Sequence, residues 1–393
     1  MCVAAGAEVG GISGSVSIVG VGHTAYGRLP GVSAWALQVE AVRNAVYDAG
    51  LSIGDVDGLF TESQFSEPLL MHGAILGRQL GMRPRFLSTQ SQGGATCISL
   101  IQTAALAIDA GMCSVAAVVY GDNAKTGQPN IYGLAQMGRG QADFVAHGLL
   151  GGPAMEALAA QRYRYEYGVT DEQFGSVAVT FRRHASLTPH AQYRDPMTMD
   201  DYLASRWIAE PLRLYDCAIT TDGGACVLLT STERARDLVQ PGARIIGMGQ
   251  AHNLDGLRDR RHYTSFAGAR SSKDAYAMCG LRPADIDTAQ LYDCFTSTVL
   301  VTLEDYGFVE RGEAGAFAAE GGLELGGRLP TNTSGGLLSE ANVTGWGQVI
   351  EAVRQLRGSA GARQVSGAET AICSGHGGFQ ATHATLVLAG GGS

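Results

Sequence analysis

Hydrophobic and polar positions divide the chain into short apolar runs and longer stretches of helical spacing. Residues 15–21 (SVSIVGV) predict a strand, and Leu37, Val39, Val42 and Val46 predict a helix over 34–49 that Gly50 stops. LSIGDVD, from Leu51 to Asp57, then leads into Gly58-Leu59-Phe60. The same plan returns downstream. Residues 243–248 (ARIIGM) predict a strand, and residues 271–279 predict a helix stopped by Gly280. LRPADID, from Leu281 to Asp287, precedes a strand over 289–292. The spacing Gly-Leu-x-x-x-Asp-(Val/Ile)-Asp is identical in both copies and follows a strand and a helix each time, which favours duplication.

The parallel continues. SQGGATCISL (91–100) predicts a strand–turn–helix elbow, with a helix through Ile101, Ala105 and Ile108 to Ala110 and an apolar strand over 115–120. NTSGGLL (332–338) occupies the matching place in the second copy, before a helix over 345–356 and a strand over 369–374. Residues 122–235 include QRYRYEYG and Phe181-Arg-Arg-His and read as an inserted helical region. The expected organisation is a disordered leader (1–14), an N-terminal half (15–121), an inserted loop region with the end of that half (122–235) and a C-terminal half (236–393). Alternating strands and helices make each half an α/β layer.

A chain of 393 residues exceeds one ordinary domain and suits a duplicated unit. Its 55 glycines, about twice average usage, follow no period and mark tight strand–helix junctions. The net charge of −9 and the lack of a Lys/Arg run argue against a nucleic-acid partner. No stretch reaches the ~18–20 apolar residues of a membrane span, and the start lacks the basic segment of a signal peptide. The eight cysteines form no CxxC, so no metal site is expected and a reduced, cytoplasmic protein is.

The elbow raises a chemical question. A helix N-terminus lowers a thiol's pKa, so turns of this kind carry nucleophiles. Here the turn is Gln92-Gly93-Gly94, and Cys97 comes three residues after Gly94, already inside the helix.

Duplicated βαβα halves with an inserted loop region resemble the thiolase superfamily, whose five-layer αβαβα fold is therefore expected. Thr221-Asp222-Gly223-Gly224-Ala225 resembles the Asp-Gly-Ala stretch of thiolases, and Tyr292-Asp293-Cys294-Phe295 stands where they carry an Asn-Glu-Ala-Phe-type segment. Asn332–Glu340 resembles the sterol-carrier-type branch, also called lipid-transfer proteins. Thiolases acylate an elbow Cys, activate it with a His, and move protons with a further Cys or His. Those positions fall here on Gly94, on Asn342 and on the stretch Cys373-Ser374-Gly375-His376. The standard nucleophile is missing, and ping-pong acyl transfer loses its covalent intermediate.

The same departures are similar to those of the thiolase-like aldolases that cleave steroid side chains as β-hydroxyacyl-CoA thioesters. They share Tyr-Asp-Cys-Phe-Thr, here 292–296, and Leu-Glu-Asp-Tyr-Gly-Phe, here 303–308. The resemblance implies a catalytic role for Tyr292 and a small OB-fold, zinc-ribbon partner. It also implies a second Tyr where this chain has Asn342.

Retro-aldol cleavage needs a base for the β-hydroxyl and donors for the thioester oxygen. The expected catalytic set is Tyr292, His376, Cys373 and Asn342. Gly93, Gly94, Cys97, Glu340, Gly377 and Gly378 are expected around the substrate. Each has a plainer reading: Tyr292 as a core phenol, Cys97 and Cys294 as packing, Glu340 as a loop support. Arg162 and Arg164 read as a solvated helix face or as contacts for CoA phosphates. The CoA thioester is expected as substrate, with no tightly bound cofactor, and a homodimer is expected. Two alternatives stay open: an acyltransferase using Cys97 or Cys373, and a non-catalytic scaffold subunit.

Overall fold

The computed structural model describes residues 11–64, 66, 69–127, 146–149, 151–253, 263–378 and 381–391. In the first half, strands β1 (Val16–His23), β2 (Gly58–Glu62), β3 (Phe86–Gln90), β4 (Val115–Asn123) and β5 (Asp222–Ser231) pair in the order β3-β2-β4-β5-β1. Helices α1 (Ala34–Asp48), α2 (His72–Leu80) and α3 (Thr96–Asp109) connect them. Helices α4 (Gly151–Tyr167) and α5 (Asp171–Ser186) lie between β4 and β5. The second half has β6 (Ala243–His252), α6 (Gly268–Cys279), β7 (Thr288–Gln290), α7 (Thr296–Asp305), α8 (Trp346–Leu356), β8 (Thr370–Gly377) and β9 (Thr382–Ala389). Its strand order, β6-β9-β8-β7, mirrors the first half. The counterpart of β3 is reduced to one parallel bridge, Ala289 with Thr331.

Among the described residues, strands of the two half-sheets pair at Ser17 with Arg244 and at Ile18 with Ala243. What holds them together is the pair of helices between them. Both α3 and α8 touch strands of both halves, and both are buried almost all round. Helices α1 and α2 cover the outer face of the first half-sheet, and α6 covers that of the second. This is the expected five-layer αβαβα order. Close packing of α1 on β1 requires glycine at 22, where a Cβ would lie 2.6 Å from Ala41 O.

The repeated Asp-x-Asp does the same work twice. Asp55 and Asp285 accept from the backbone N–H groups of Ser52 (2.9 Å) and Arg282 (2.8 Å), closing a short 3₁₀ turn. Asp57 then accepts from Ser114 N (2.7 Å) and Val115 N (2.9 Å) at the start of β4. Asp287 accepts from Glu369 N and Thr370 N, both at 2.9 Å, at the start of β8.

Several boundaries differ from expectation. Strand β8 runs on through Gly375-His376-Gly377, so His376 belongs to a strand and not to a glycine-rich turn. Strand β7 stops at Gln290, which leaves Tyr292 just beyond it. Leader residues 1–10 lie outside the described residues. Residues 13 and 14 are tied to β6, with Gly14 N donating to Ile245 O at 2.7 Å and Ser13 Oγ to Ile246 O at 2.7 Å. The inserted helices pack on the second half, where Tyr163, Phe174 and Phe181 share a core with Leu291, Val299 and Leu303.

Candidate active site

Tyr292 is placed by the residues on either side of it. Asn332, at φ 46°, clamps the Leu291 backbone: Leu291 N donates to Asn332 Oδ1 (2.6 Å), and Asn332 Nδ2 donates to Leu291 O (2.8 Å). Tyr292 N donates to Ser374 Oγ at 2.9 Å. The phenol lies against the elbow. A Cβ on Gly94 would overlap Tyr292 Cζ and its hydroxyl and would come within 2.5 Å of His376 O. The nucleophile is thus absent together with its space, which Tyr292 fills.

The Gly93-Gly94 turn lies against the end of β8. A Cβ on Gly93 would lie 3.1 Å from Gly377 Cα and 3.5 Å from Gly378 N, and one on Gly377 would overlap Gln92 O. His376 stands beside the phenol, with ring centres 4.9 Å apart and planes at 73°. Burial lowers its pKa to about 4, so the imidazole is neutral near pH 7. Its Nε2 lies 3.5 Å from Cys294 Sγ. Cys294 read as packing in the sequence; the structure makes it the thiol in contact with this imidazole. Phe266 and His383 flank His376 at 5.6 and 6.1 Å. The shared LEDYGF stretch supports this wall. Tyr306 OH contacts His383 Nε2 (2.9 Å), while Asp305 accepts from Phe266 N (2.7 Å) and Ser265 Oγ (2.7 Å).

The other thiols are placed differently. Cys97 is 1% exposed and Cys373 fully buried, both in the core around α3, and burial raises both pKa values. Asn342 is half-buried. Its N–H donates to Thr221 Oγ1 (3.0 Å) and its Oδ1 accepts from Thr344 N (3.4 Å), so its Nδ2 can still donate to a ligand. Glu340, expected at the substrate, is instead engaged inside the protein. It contacts His190 Nε2 at 3.0 Å and accepts from Ser334 Oγ. Burial raises the Glu340 pKa, but His190, Ser334 and Arg354 outweigh it and hold the carboxylate below its usual range. Arg162 and Arg164 pair with Glu166 and Asp171 on the helix surface.

Sequence reasoning passed over two acids. Asp293 accepts from Leu337 N (2.9 Å), Leu338 N (3.2 Å) and Gln348 Nε2 (2.8 Å). It thereby ties the Tyr292 segment to the turn at Gly335-Gly336, and burial pushes its pKa up to about 7. Glu62, at the end of β2, is 0% exposed, and burial pushes its pKa up to about 8. Its Oε2 accepts from Thr344 Oγ1 at 3.1 Å. An isolated acid ending an apolar run gives no sequence signal of burial. Asp293 stands out in the sequence only as part of the motif at 292–296, and its closeness to Gly336 comes from the fold.

Beyond Cys294 lies a cavity of about 650 Å³ lined by Lys125, Arg182, Tyr193, Tyr215, Cys217 and Ala218, among others. Ala218 N donates to Cys294 O at 2.9 Å, so the cavity wall and the site share a backbone contact. Arg182 stacks on Tyr193 and Tyr215 at about 5.5 Å, and Lys125 lies 5.6 Å from the Tyr193 ring. Among the described residues no group of three or more His, Cys, Asp or Glu could hold a metal ion. No described helix is long and apolar enough to cross a membrane.

Comparison with known proteins gives the family. The family described as thiolase C-terminal domain-like matches residues 249–390. A steroid side-chain-cleaving aldolase of Thermomonospora curvata is 41% identical over 88% of this chain and 92% of its own length. A 17-hydroxy-3-oxo-4-pregnene-20-carboxyl-CoA lyase of Mycobacterium tuberculosis is 38% identical over 88% of this chain and 93% of its own. A solved structure described as an Ltp2-ChsH2(DUF35) aldolase superposes with a TM-score of 0.90 at 37% identity, covering 98% of this chain and 100% of that one.

Proposed function

The chain belongs to the thiolase superfamily, in the branch of the steroid side-chain aldolases, and from that premise we propose that this aldolase-type carbon–carbon lyase opens a β-hydroxyacyl-CoA thioester by retro-aldol cleavage at Tyr292. The observation that carries the reading is the phenol standing in the volume of the missing elbow side chain.

In this mechanism Tyr292 takes the proton of the β-hydroxyl as it passes its own phenolic proton to neutral His376. A carbonyl forms at Cβ, the Cα–Cβ bond breaks, and its electron pair moves into the thioester enolate. Asn342 Nδ2 and backbone N–H groups of the Gly93-Gly94 and Gly377-Gly378 turns donate to the enolate oxygen. Donors of this kind are each worth roughly 10²–10³ in rate. The His376 imidazolium then returns a proton to Cα, which releases the shorter acyl-CoA and restores the neutral imidazole. Neutral His376 is the proton acceptor next to Tyr292, and Cys294 orients its Nε2. The cavity carrying Lys125 and Arg182 suits the CoA phosphates, with its aromatic rings against the rest of the nucleotide. Acyl transfer is disfavoured because the thiols of Cys97 and Cys373 are buried and held protonated. The acyl group is read as steroid or a related lipid, the protein as cytoplasmic and homodimeric, and the partner as a small OB-fold, zinc-ribbon protein closing the acyl channel.

The test incubates the protein, with and without such a partner, with β-hydroxyacyl-CoA and β-ketoacyl-CoA thioesters, each with and without free CoA. Mass spectrometry reads the products. Release of a carbonyl compound and a shorter acyl-CoA without added CoA supports the lyase. Cleavage of β-ketoacyl-CoA only when CoA is added rejects it.

A further inference from the structure

We propose that Glu62 is a positioning residue that latches the loop 342–345 through Thr344 and so fixes Tyr292 and Asn342 for the reaction. The inference rests on the catalytic reading of Tyr292 given above.

Thr344 has φ 49°, in the left-handed region, where a β-branched residue is strained. Something must hold it there. Its hydroxyl donates to Glu62 Oε2 at 3.1 Å, and its N–H donates to Asn342 Oδ1 at 3.4 Å. One residue on, Gly345 has φ 89°, and a Cβ there would lie 3.1 Å from Tyr292 Cδ2 and 3.7 Å from Gly94 O. The strained residue is therefore anchored to Glu62 and bonded to Asn342, and the residue after it abuts the phenol.

The surroundings of Glu62 suit a latch better than an ion pair. The groups facing it are Thr96 and Cys97 of α3, Asp122 of β4, Thr344, and Trp346 at the start of α8, and none is a cation. Its Oε1 is buried without a partner. A neutral carboxyl suits this place: one oxygen accepts from Thr344, and no buried charge goes uncompensated.

Hydrogen exchange over residues 340–346, kcat and KM would be measured for wild type, Glu62→Gln, Glu62→Leu and Thr344→Val. Glu62→Leu and Thr344→Val should each speed exchange in this segment and lower kcat roughly tenfold to a hundredfold, the scale of a small misplacement of reacting groups, with KM nearly unchanged. Glu62→Gln should keep slow exchange and most of kcat. Should Glu62→Leu fail to fold, Thr344→Val carries the test alone. Wild-type exchange and kcat in Thr344→Val, or damage in Glu62→Gln equal to that in Glu62→Leu, overturns the proposal. Exchange needs no turnover. Faster exchange in the variants of a protein inactive on every aldol substrate would therefore support the latch and reject the lyase.

Discussion

Gly94 and Tyr292 exclude each other's side chains: a Cβ on residue 94 would overlap the Tyr292 hydroxyl and Cζ. Gly94→Cys should therefore not restore acyl transfer. It should destabilise the protein by about 1–3 kcal/mol or more, the usual cost of overpacking. In a Tyr292→Gly background, where the phenol is gone, the same replacement should cost less. Denaturant titration of wild type, the two single variants and the double variant checks this, and equal stability of wild type and Gly94→Cys would contradict the geometry.

Tyr292→Phe keeps the ring and removes only the hydroxyl. On the proposed mechanism kcat should fall about 10²–10⁴-fold with little change in KM or Tm, the range expected for loss of a general base. A kcat within a few-fold of wild type would reduce Tyr292 to packing.

The cysteines separate chemistry from packing. Cys294→Ala removes the thiol 3.5 Å from His376 Nε2 and should lower kcat while leaving Tm nearly unchanged. Cys97→Ser puts a hydroxyl into an apolar core and should cost about 1–3 kcal/mol of stability without changing kcat. Steady-state kinetics beside thermal melts would expose the reverse pattern.

His376 gives a pH test of stability. Its folded pKa, about 4, lies below its ordinary value of 6.5, so the unfolded chain binds the proton first as pH falls. The stability it contributes is complete above pH 6.5 and is lost as pH falls toward 4, at up to about 1.4 kcal/mol per pH unit. Urea titrations at pH 7 and pH 5 should show a smaller drop for His376→Asn than for wild type. Equal drops would mean that His376 is protonated in the fold.

Asp57 and Asp287 should behave as equivalents. Each accepts two backbone N–H groups at the start of a strand, β4 or β8. Replacing either with Ala should cost about 1–3 kcal/mol, the penalty for leaving donors unmet. A large difference between the two would show that the halves do not carry load alike.

That pair also shows what the sequence could reveal. The repeated Gly-Leu-x-x-x-Asp-x-Asp is local chemistry, a turn and two backbone caps, so its spacing survives in both halves and exposes the duplication. Gly94 was legible as a missing nucleophile, because a glycine at a helix entry is visible in one dimension. The cause of the glycine was not: Tyr292 lies 198 positions later and meets it only through the fold. The strand predicted over 369–374 stops short of the end of β8 because Gly-His-Gly reads as a turn. In the fold those glycines are strand residues kept small because the elbow backbone presses on them. Glu62 carried no signal, since only the convergence of β2, α3 and the 342–345 loop makes its carboxyl part of the site.

The steric exclusion between Gly94 and Tyr292 also closes a path for descent. A lineage with this pair cannot regain an elbow cysteine by one replacement, because the new side chain meets the phenol. Shrinking Tyr292 first removes the proposed base before any nucleophile exists to replace it. Each intermediate is worse than either end, so the two arrangements interconvert only by replacing both residues together.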